Sequence, residues 1–377
     1  MTEPHPQIAR ARALHRLLTR EGDEVNQRRE LTPAIVAALK DGGFFRMLQP
    51  GTGGGMEMKP SDFASITQII AAADGSTGWV VCQGNGCAMS AAYLDPAVAK
   101  SIFGSADGIL AWGPPGSPYE AEPVPGGYCI SGTWRFASGC QNATWLGAHL
   151  KVSGTREIRT LLFPKSSATM VDIWHTLGLR GTASNEYVVK DLFVPTNHTM
   201  LRDAPTDRRE VGPLYRFGSS QLYSAGFAGV GLGIARGTID AFLDLPATKT
   251  SRGAAKPLRD NNVVQSQLAQ AEAKWHSARA FLHNTLDEIY EFAVRHGDMT
   301  DRHAAMLRLA STWSIQQSRD VVNTIFHCAG SMAVFENQPF ERRLRDIDTV
   351  AQQSQGRQLH YESVGQFMFG LQPENQF

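Results

Sequence analysis

Hydrophobic and polar positions divide the chain into stretches of different period. Residues 7–22 and 32–42 repeat their apolar positions at helical spacing. In the second, Thr32-Pro33 supplies an N-cap and a first-turn proline, and Gly42-Gly43 supplies the stop. Ser61 to Ala73 predicts a third helix, capped by Ser61 or by the loop before it. Asp74-Gly75-Ser76-Thr77-Gly78 then breaks the pattern ahead of an apolar helix from Trp79 to Ala92. From Gly108 to Pro195 the period drops to two, with frequent glycine and proline, which predicts a small β-domain. Its strands fall at 109–112, 145–152, 159–163 and 186–194, with a hairpin from Tyr128 to Ala137 that turns at Ser131-Gly132. Beyond Pro213 the pattern is helical over 214–244, 262–295, 301–333 and 346–370, four long segments that predict an up-down bundle.

Length and charge narrow the function classes. A chain of 377 residues buries a large core in two or three subdomains. Lys+Arg and Asp+Glu both number 36, so no bulk charge draws the chain to nucleic acid or to an anionic membrane. Cys82, Cys87, Cys129, Cys140 and Cys328 form no C-x-x-C pair, and their scatter predicts reduced thiols in a cytoplasmic protein. No histidine pair has zinc-ligand spacing, so no metal site is expected. The most apolar stretch, Ala225 to Ala235, falls short of the ~20 residues of a membrane span. Pro50 to Gly55 is glycine-rich but lacks a following Lys-Ser/Thr, so it reads as a surface loop and not a phosphate cradle.

Candidate chemistry concentrates at two places. Residues 126–139 end in Ser138-Gly139, where a small hydroxyl and a side-chain-free backbone suit close approach of a flat ligand. About forty residues on, Leu177 to Asn185 carries G-L-R-G-T-x-S, and Val189 to Pro195 reads V-x-D-L-F-V-P. With W-x-F-A-S-G at Trp134–Gly139, this series resembles the acyl-CoA dehydrogenase fold. More narrowly, it resembles the reduced-flavin-dependent monooxygenases of that fold, the oxygenase components of two-component hydroxylases. The run from Ala73 to Trp79 resembles the same branch, and the likeness extends from about Asp74 to Arg345.

The resemblance implies an α+β, mostly α chain. It would have an N-terminal helical domain (1–107), a central small β-barrel or sandwich (108–212) and a C-terminal four-helix bundle (213–377), paired into a homotetramer. It places the flavin between β-domain and bundle. Phe136, Ala137 and Ser138 would face flavin N5 and the pyrimidine edge, with Trp112 and Ser117 on the neighbouring strand and turn. Arg252 and Gln265 would reach the flavin phosphate, across a subunit boundary in many relatives. Trp79, Gln83, Asn85, Gln352 and Gln353 are the substrate-side candidates, with Ser138 and Gln353 as catalytic candidates. No G-x-G-x-x-G follows a strand, so a partner reductase would supply reduced FMN or FAD. Oxygen would add at flavin C4a, and the resulting (hydro)peroxide would hydroxylate an aromatic or polycyclic small molecule.

Two alternatives stand beside this reading. A dehydrogenase or oxidase of the same fold needs a glutamate base, and Ser354 holds that place here. Asp348 and Glu336 are possible substitutes, but are expected to face solvent or pair with Arg342, Arg343 or Arg345. Many hydroxylases of the branch carry a histidine near Gln353, where this chain has Gln352-Gln353 and, two turns along the same expected helix, His360. His175 and His327 read as packing residues. A non-catalytic scaffold that binds a hydrophobic ligand is the third reading.

Overall fold

The computed structural model describes residues 5–250 and 256–374. Six helices come first: α1 (Pro6–Ala13), α2 (His15–Arg28), α3 (Pro33–Asp41), α4 (Pro60–Ala73), α5 (Gly75–Ala88) and α6 (Pro96–Phe103). Thr32 caps α3 as its sequence predicts, accepting from Ile35 N. Of the two caps open to α4, Ser61 is not used, since it is the second helical residue and its Oγ donates to Asp287; the cap position falls on Lys59 of the preceding loop, which makes no side-chain cap bond. One local expectation is corrected. The run 74–78 does not precede a helix; Asp74 caps α5, and its Oδ1 accepts from Thr77 N at 2.7 Å.

Eight strands follow: β1 (Leu110–Trp112), β2 (Glu120–Val124), β3 (Gly127–Ala137), β4 (Trp145–Val152), β5 (Ile158–Pro164), β6 (Thr169–Val171), β7 (Asn185–Pro195) and β8 (Thr199–Met200). They form one mixed sheet in the order β6-β7-β3-β2-β4-β5-β8, with β1 pairing β4. The expected hairpin inside 128–137 is a single strand, and the chain reverses at Pro125-Gly126 between β2 and β3. Ser131-Gly132 lies opposite a bulge on β7, where Asp191 (φ 46°) is the extra residue and Ser131 Oγ accepts from its backbone N–H. A second bulge inserts Phe136 (φ 56°) into β3 between the pairs Trp134–Tyr187 and Ala137–Asn185.

The remaining helices are α7 (Ser219–Leu243), α8 (Asn262–His296), α9 (Asp301–Ala329), α10 (Pro339–Gln352) and α11 (Leu359–Met368). The fourth expected helix, 346–370, is thus two helices. Gln353 leaves helical geometry (ψ 154°) and Ser354–Gly356 makes a short turn between them. The glycine stripe of α7 sets its packing: a Cβ on Gly229 or Gly233 would stand 2.3 Å from Thr67 Oγ1 or Gln68 O of α4. Backbones at that separation weld the N-terminal helices to the bundle, and one apolar core runs from Leu18 through Trp134 to Val350. Among the described residues, no helix is long and apolar enough to cross a membrane.

Candidate active site

The bulge at the end of β3 turns the Phe136 ring outward, 60 % exposed, in an edge-to-face contact with Trp174 at 6.0 Å. Ala137 is fully buried and Ser138 nearly so. The left-handed backbone at a bulky aromatic is costly, and it aims a large apolar face away from the sheet. A flat ring can lie on that face with Ser138 at its edge.

Behind Ser138 runs a chain of buried hydroxyls. Trp79 Nε1 donates to Ser138 Oγ at 3.0 Å, Ser138 Oγ meets Ser184 Oγ at 2.6 Å, and Ser184 Oγ meets Thr182 Oγ1 at 2.7 Å. Thr182 Oγ1 also donates to the Leu179 carbonyl at 2.8 Å. A hydroxyl has one proton and a carbonyl has none, so the direction of the whole chain follows. Thr182 gives its proton to Leu179 O, Ser184 gives its proton to Thr182, and Ser138 gives its proton to Ser184. Ser138 already accepts from Trp79 and retains one lone pair. It can accept another hydrogen bond but has no proton left to donate.

The turn that carries this chain is held from three sides. Leu179 (φ 49°) and Ala183 (φ 43°) bend it, Gly181 N donates to Ser76 Oγ of α5, and Leu179 N donates to Asp346 Oδ1 of α10 at 2.6 Å. A Cβ on Gly181 would stand 2.1 Å from Val25 Cγ1, so the turn fits only with glycine there. Burial pushes the Asp346 carboxyl up to about 6, reinforced by nearby Asp74 and opposed by the Leu179 N–H, Arg342 and Arg345.

On the other side of Trp79 lies an aromatic wall from α7. The Trp79 and Phe227 rings stack at 3.8 Å, and Tyr223 follows at 5.8 Å from Phe227. Gln83 Nε2 reaches Trp112 O and Tyr223 OH at 3.4 Å each, and Cys87 Sγ meets Tyr223 OH at 3.3 Å. Burial raises the Cys87 thiol to about 12 and pushes Tyr223 upward, while it pushes His149, edge-on to Trp112 at 4.8 Å, downward. Cys87, Tyr223 and His149 are therefore uncharged near neutral pH, and a cation stands beside them: the Arg202 guanidinium lies over the Trp112 ring at 5.8 Å and meets His149 Nε2 at 3.3 Å. A crevice beside the wall, lined by Phe45, Val80, Gly84, Ala111, Ser138 and Gly139, is too narrow to hold a water. Gly86 gives the Tyr223 ring its place on α5: a Cβ there would stand 2.2 Å from it.

The structure thus gathers Trp79, Gln83, Trp112, Phe136, Ala137 and Ser138 into one region. Ser117 lies on the exposed bend that runs beside β3 through the Gly116–Thr133 backbone bond. Other expected residues have other tasks. Asn85 is buried and spends its amide on backbone, accepting from Met47 N and Leu48 N and donating to Phe44 O and Val81 O, so it has nothing left for a substrate. Gln353 caps the turn after α10: Oε1 accepts from Gln355 N at 2.6 Å and Nε2 donates to Ser354 Oγ. Gln352 is exposed at the end of α10, and Gln265 is exposed in the first turn of α8, where it donates to Arg259 O. Arg252 lies outside the described residues. His360 is not on the helix of Gln353; it sits on α11, and its Nε2 is 2.7 Å from Ser354 O. Asp348 pairs with Arg319 at 2.6 Å, a partner on α9 that local sequence does not reveal. His175 joins the surface pair of Arg29 and Asp172. Composition and spacing alone do not mark Thr182, Ser184, Tyr223 or Phe227 as site residues. The S of G-L-R-G-T-x-S and an aromatic pair four apart in a glycine-rich helix were the available signals.

The architecture, a sheet domain set between two groups of helices with the hydroxyl chain at their junction, is that of the acyl-CoA dehydrogenase fold. The family description "Acyl-CoA dehydrogenase, C-terminal domain" matches residues 225–357. The solved structure of 3-HSA hydroxylase from Rhodococcus sp. RHA1 superposes with a TM-score of 0.91 at 25 % identity, covering 98 % of both chains. An indole-3-acetate monooxygenase of Pseudomonas putida is 30 % identical over 355 residues, 93 % of this chain and 90 % of that protein. An FADH(2)-dependent resorcinol hydroxylase, oxygenase component, of a Rhizobium strain is 26 % identical across all of this chain and 97 % of its own. The chain belongs to the flavin-dependent monooxygenases of the acyl-CoA dehydrogenase fold, as an oxygenase component.

Proposed function

We propose that the chain takes reduced FMN or FAD from a partner flavin reductase and uses O2 to hydroxylate an aromatic small molecule. One oxygen atom enters the product and the other leaves as water, with the two electrons supplied by the bound reduced flavin. The observation that carries this reading is the direction of the hydroxyl chain. Ser138 presents a lone pair and no proton. A reduced isoalloxazine has N–H at N5, whereas the oxidised ring has a bare nitrogen there. The site is wired to accept from the first and has nothing to give to the second.

The residues fit a flavin in other respects. Phe136 offers the exposed ring face and Ala137 leaves its edge uncluttered. Trp79, Phe227 and Tyr223 line the opposite side with stacked aromatic rings, which would exclude water from a bound flavin. Trp112 and Ser117 continue the cofactor side. Gln83, tied to Trp112 and Tyr223, presents a neutral amide toward the substrate space. Arg252 and Gln265 are assigned to the flavin phosphate of a neighbouring subunit in a cytoplasmic homotetramer, with residues 1–107, 108–212 and 213–377 as its structural units. A dehydrogenase mechanism lacks its base: Ser354 is an exposed turn residue, and buried Asp346 is committed to Leu179 N.

The test is turnover with a flavin reductase under labelled dioxygen, using a panel of phenols and indoles. The reading predicts product that carries one labelled oxygen. Unlabelled product, or flavin bleaching by substrate in the absence of O2, contradicts it.

A further inference from the structure

One buried cation has no part in the site described so far. Arg308 of α9 is only 5 % exposed, yet no carboxylate lies within 4.0 Å of it among the described residues. Its guanidinium meets neutral groups: Nη1 donates to Gln355 Oε1 and Nη2 donates weakly to Ser220 Oγ at 3.3 Å, while Nε is buried without a partner. Arg343 is partly buried with Asp346, Asp74 and Asp240 near enough to favour its charge, whereas among the described residues no acidic group acts on Arg308; burial lowers the pKa of both guanidinium groups. Burying a guanidinium without a counter-charge is expensive, and such a group is retained where an anion arrives to complete it.

Its position says which anion. Ser220 opens a face of α7 that continues through Tyr223 to Phe227, spaced three and four residues apart. Seven residues of helix span roughly 10 Å, so Arg308 stands about that far along α7 from the ring that stacks on Trp79. Ser220 and Gln355, the two side chains bonded to Arg308, are themselves only half-buried. Thr312 and Gln316 hold the same turn by donating to the carbonyls of Gln355 and Gly356.

We infer that Arg308 anchors the carboxylate of an acidic aromatic substrate whose ring lies along the Tyr223–Phe227 face. A carboxylate entering between Ser220 and Gln355 displaces Gln355 Oε1 and completes the guanidinium fork, including the unpaired Nε. The class of substrate is then an aromatic ring with a short acidic arm. This assignment rests on the aromatic-monooxygenase reading, but the two fail separately.

The experiment measures affinity and turnover of matched probes, indole-3-acetate against 3-methylindole and 4-hydroxyphenylacetate against 4-methylphenol. Wild type is expected to favour at least one acid over its neutral partner tenfold or more. Arg308→Met is expected to erase that preference, with the acid losing at least tenfold more than the neutral probe. Gln355→Glu supplies an internal counter-charge with little change of shape and is expected to do the same, which covers the case of a poorly folded Arg308→Met. No acid preference in wild type, including no binding of any probe, overturns the assignment. So does an equal loss for acid and neutral probes in both variants. A variant that instead stops distinguishing reduced FMN from reduced riboflavin would move Arg308 to the cofactor phosphate and overturn it as well. Labelled product from neutral aromatics without acid preference removes only the anchor and leaves the monooxygenase reading standing.

Discussion

The junction of β3 with the 179–184 turn and the junction of α10 with α11 are both polar interruptions beside the same bundle, yet they are built oppositely. At the first, three non-glycine residues sit at positive φ, and every buried hydroxyl has a determined direction. At the second, Gln353, Ser354 and His360 bond within the turn, and Gln355 turns its side chain away to Arg308. Strained backbone held by surrounding packing is where a reacting group can be aimed; a self-satisfied turn is where a helix ends. The difference teaches that Ser138 has a directed task and Gln353 a supporting one.

The sharpest way to break this comparison is Ser138→Ala. It removes the open lone pair and leaves the buried Trp79 N–H without its acceptor. Reduced-flavin-supported hydroxylation is expected to fall on the order of ten- to a hundredfold, the equivalent of about 1–3 kcal/mol, with peroxide released in its place. Coupling of product to oxygen consumed measures it. Ser184→Ala sharpens the same point, because it frees the Ser138 proton. Preference for reduced over oxidised flavin should shrink by roughly tenfold, as read by equilibrium titration, while flavin binding persists.

A pH experiment examines the support beneath the turn. Asp346 is raised to about 6 in the folded protein from an ordinary value near 4. The native state therefore holds this proton over a range where the unfolded chain has lost it. Stability contributed by the protonated group is present below about pH 4 and is lost as pH rises toward 6. Asp346→Asn keeps an acceptor for Leu179 N and removes the titration. The stability of wild type relative to this variant is expected to decline between pH 4 and 6, by at most about 3 kcal/mol. A flat difference across that range would contradict the assignment.

The smallest effect is expected at Gln353→Ala. Loss of the cap should cost about 1 kcal/mol of stability, seen by denaturant melts, and change turnover by no more than a few-fold. A loss as large as that of Ser138→Ala would reverse the comparison.

The first junction was largely legible because its information is local. W-x-F-A-S-G and G-L-R-G-T-x-S each fall within one turn or strand end, and their order along the chain was sufficient to identify the family. The bulge was not legible. Ser131-Gly132 has the composition of a turn, and only pairing with β7 shows that Asp191 opposite is the irregular residue. The break at Gln353 was hidden for a similar reason, since a capping glutamine has good helix propensity and Gly356 lies three residues further on. Arg308 and Asp346 were beyond reach altogether. A single charge on a helix reads as solvated, and its burial is decided by helices far away in sequence.

The most direct measurement is an anaerobic titration of the wild-type protein with reduced and with oxidised FMN and FAD. The direction of the hydroxyl chain predicts that the reduced form binds at least tenfold more tightly, because only it offers an N–H to Ser138. Equal affinity, or tighter binding of the oxidised form, would contradict it.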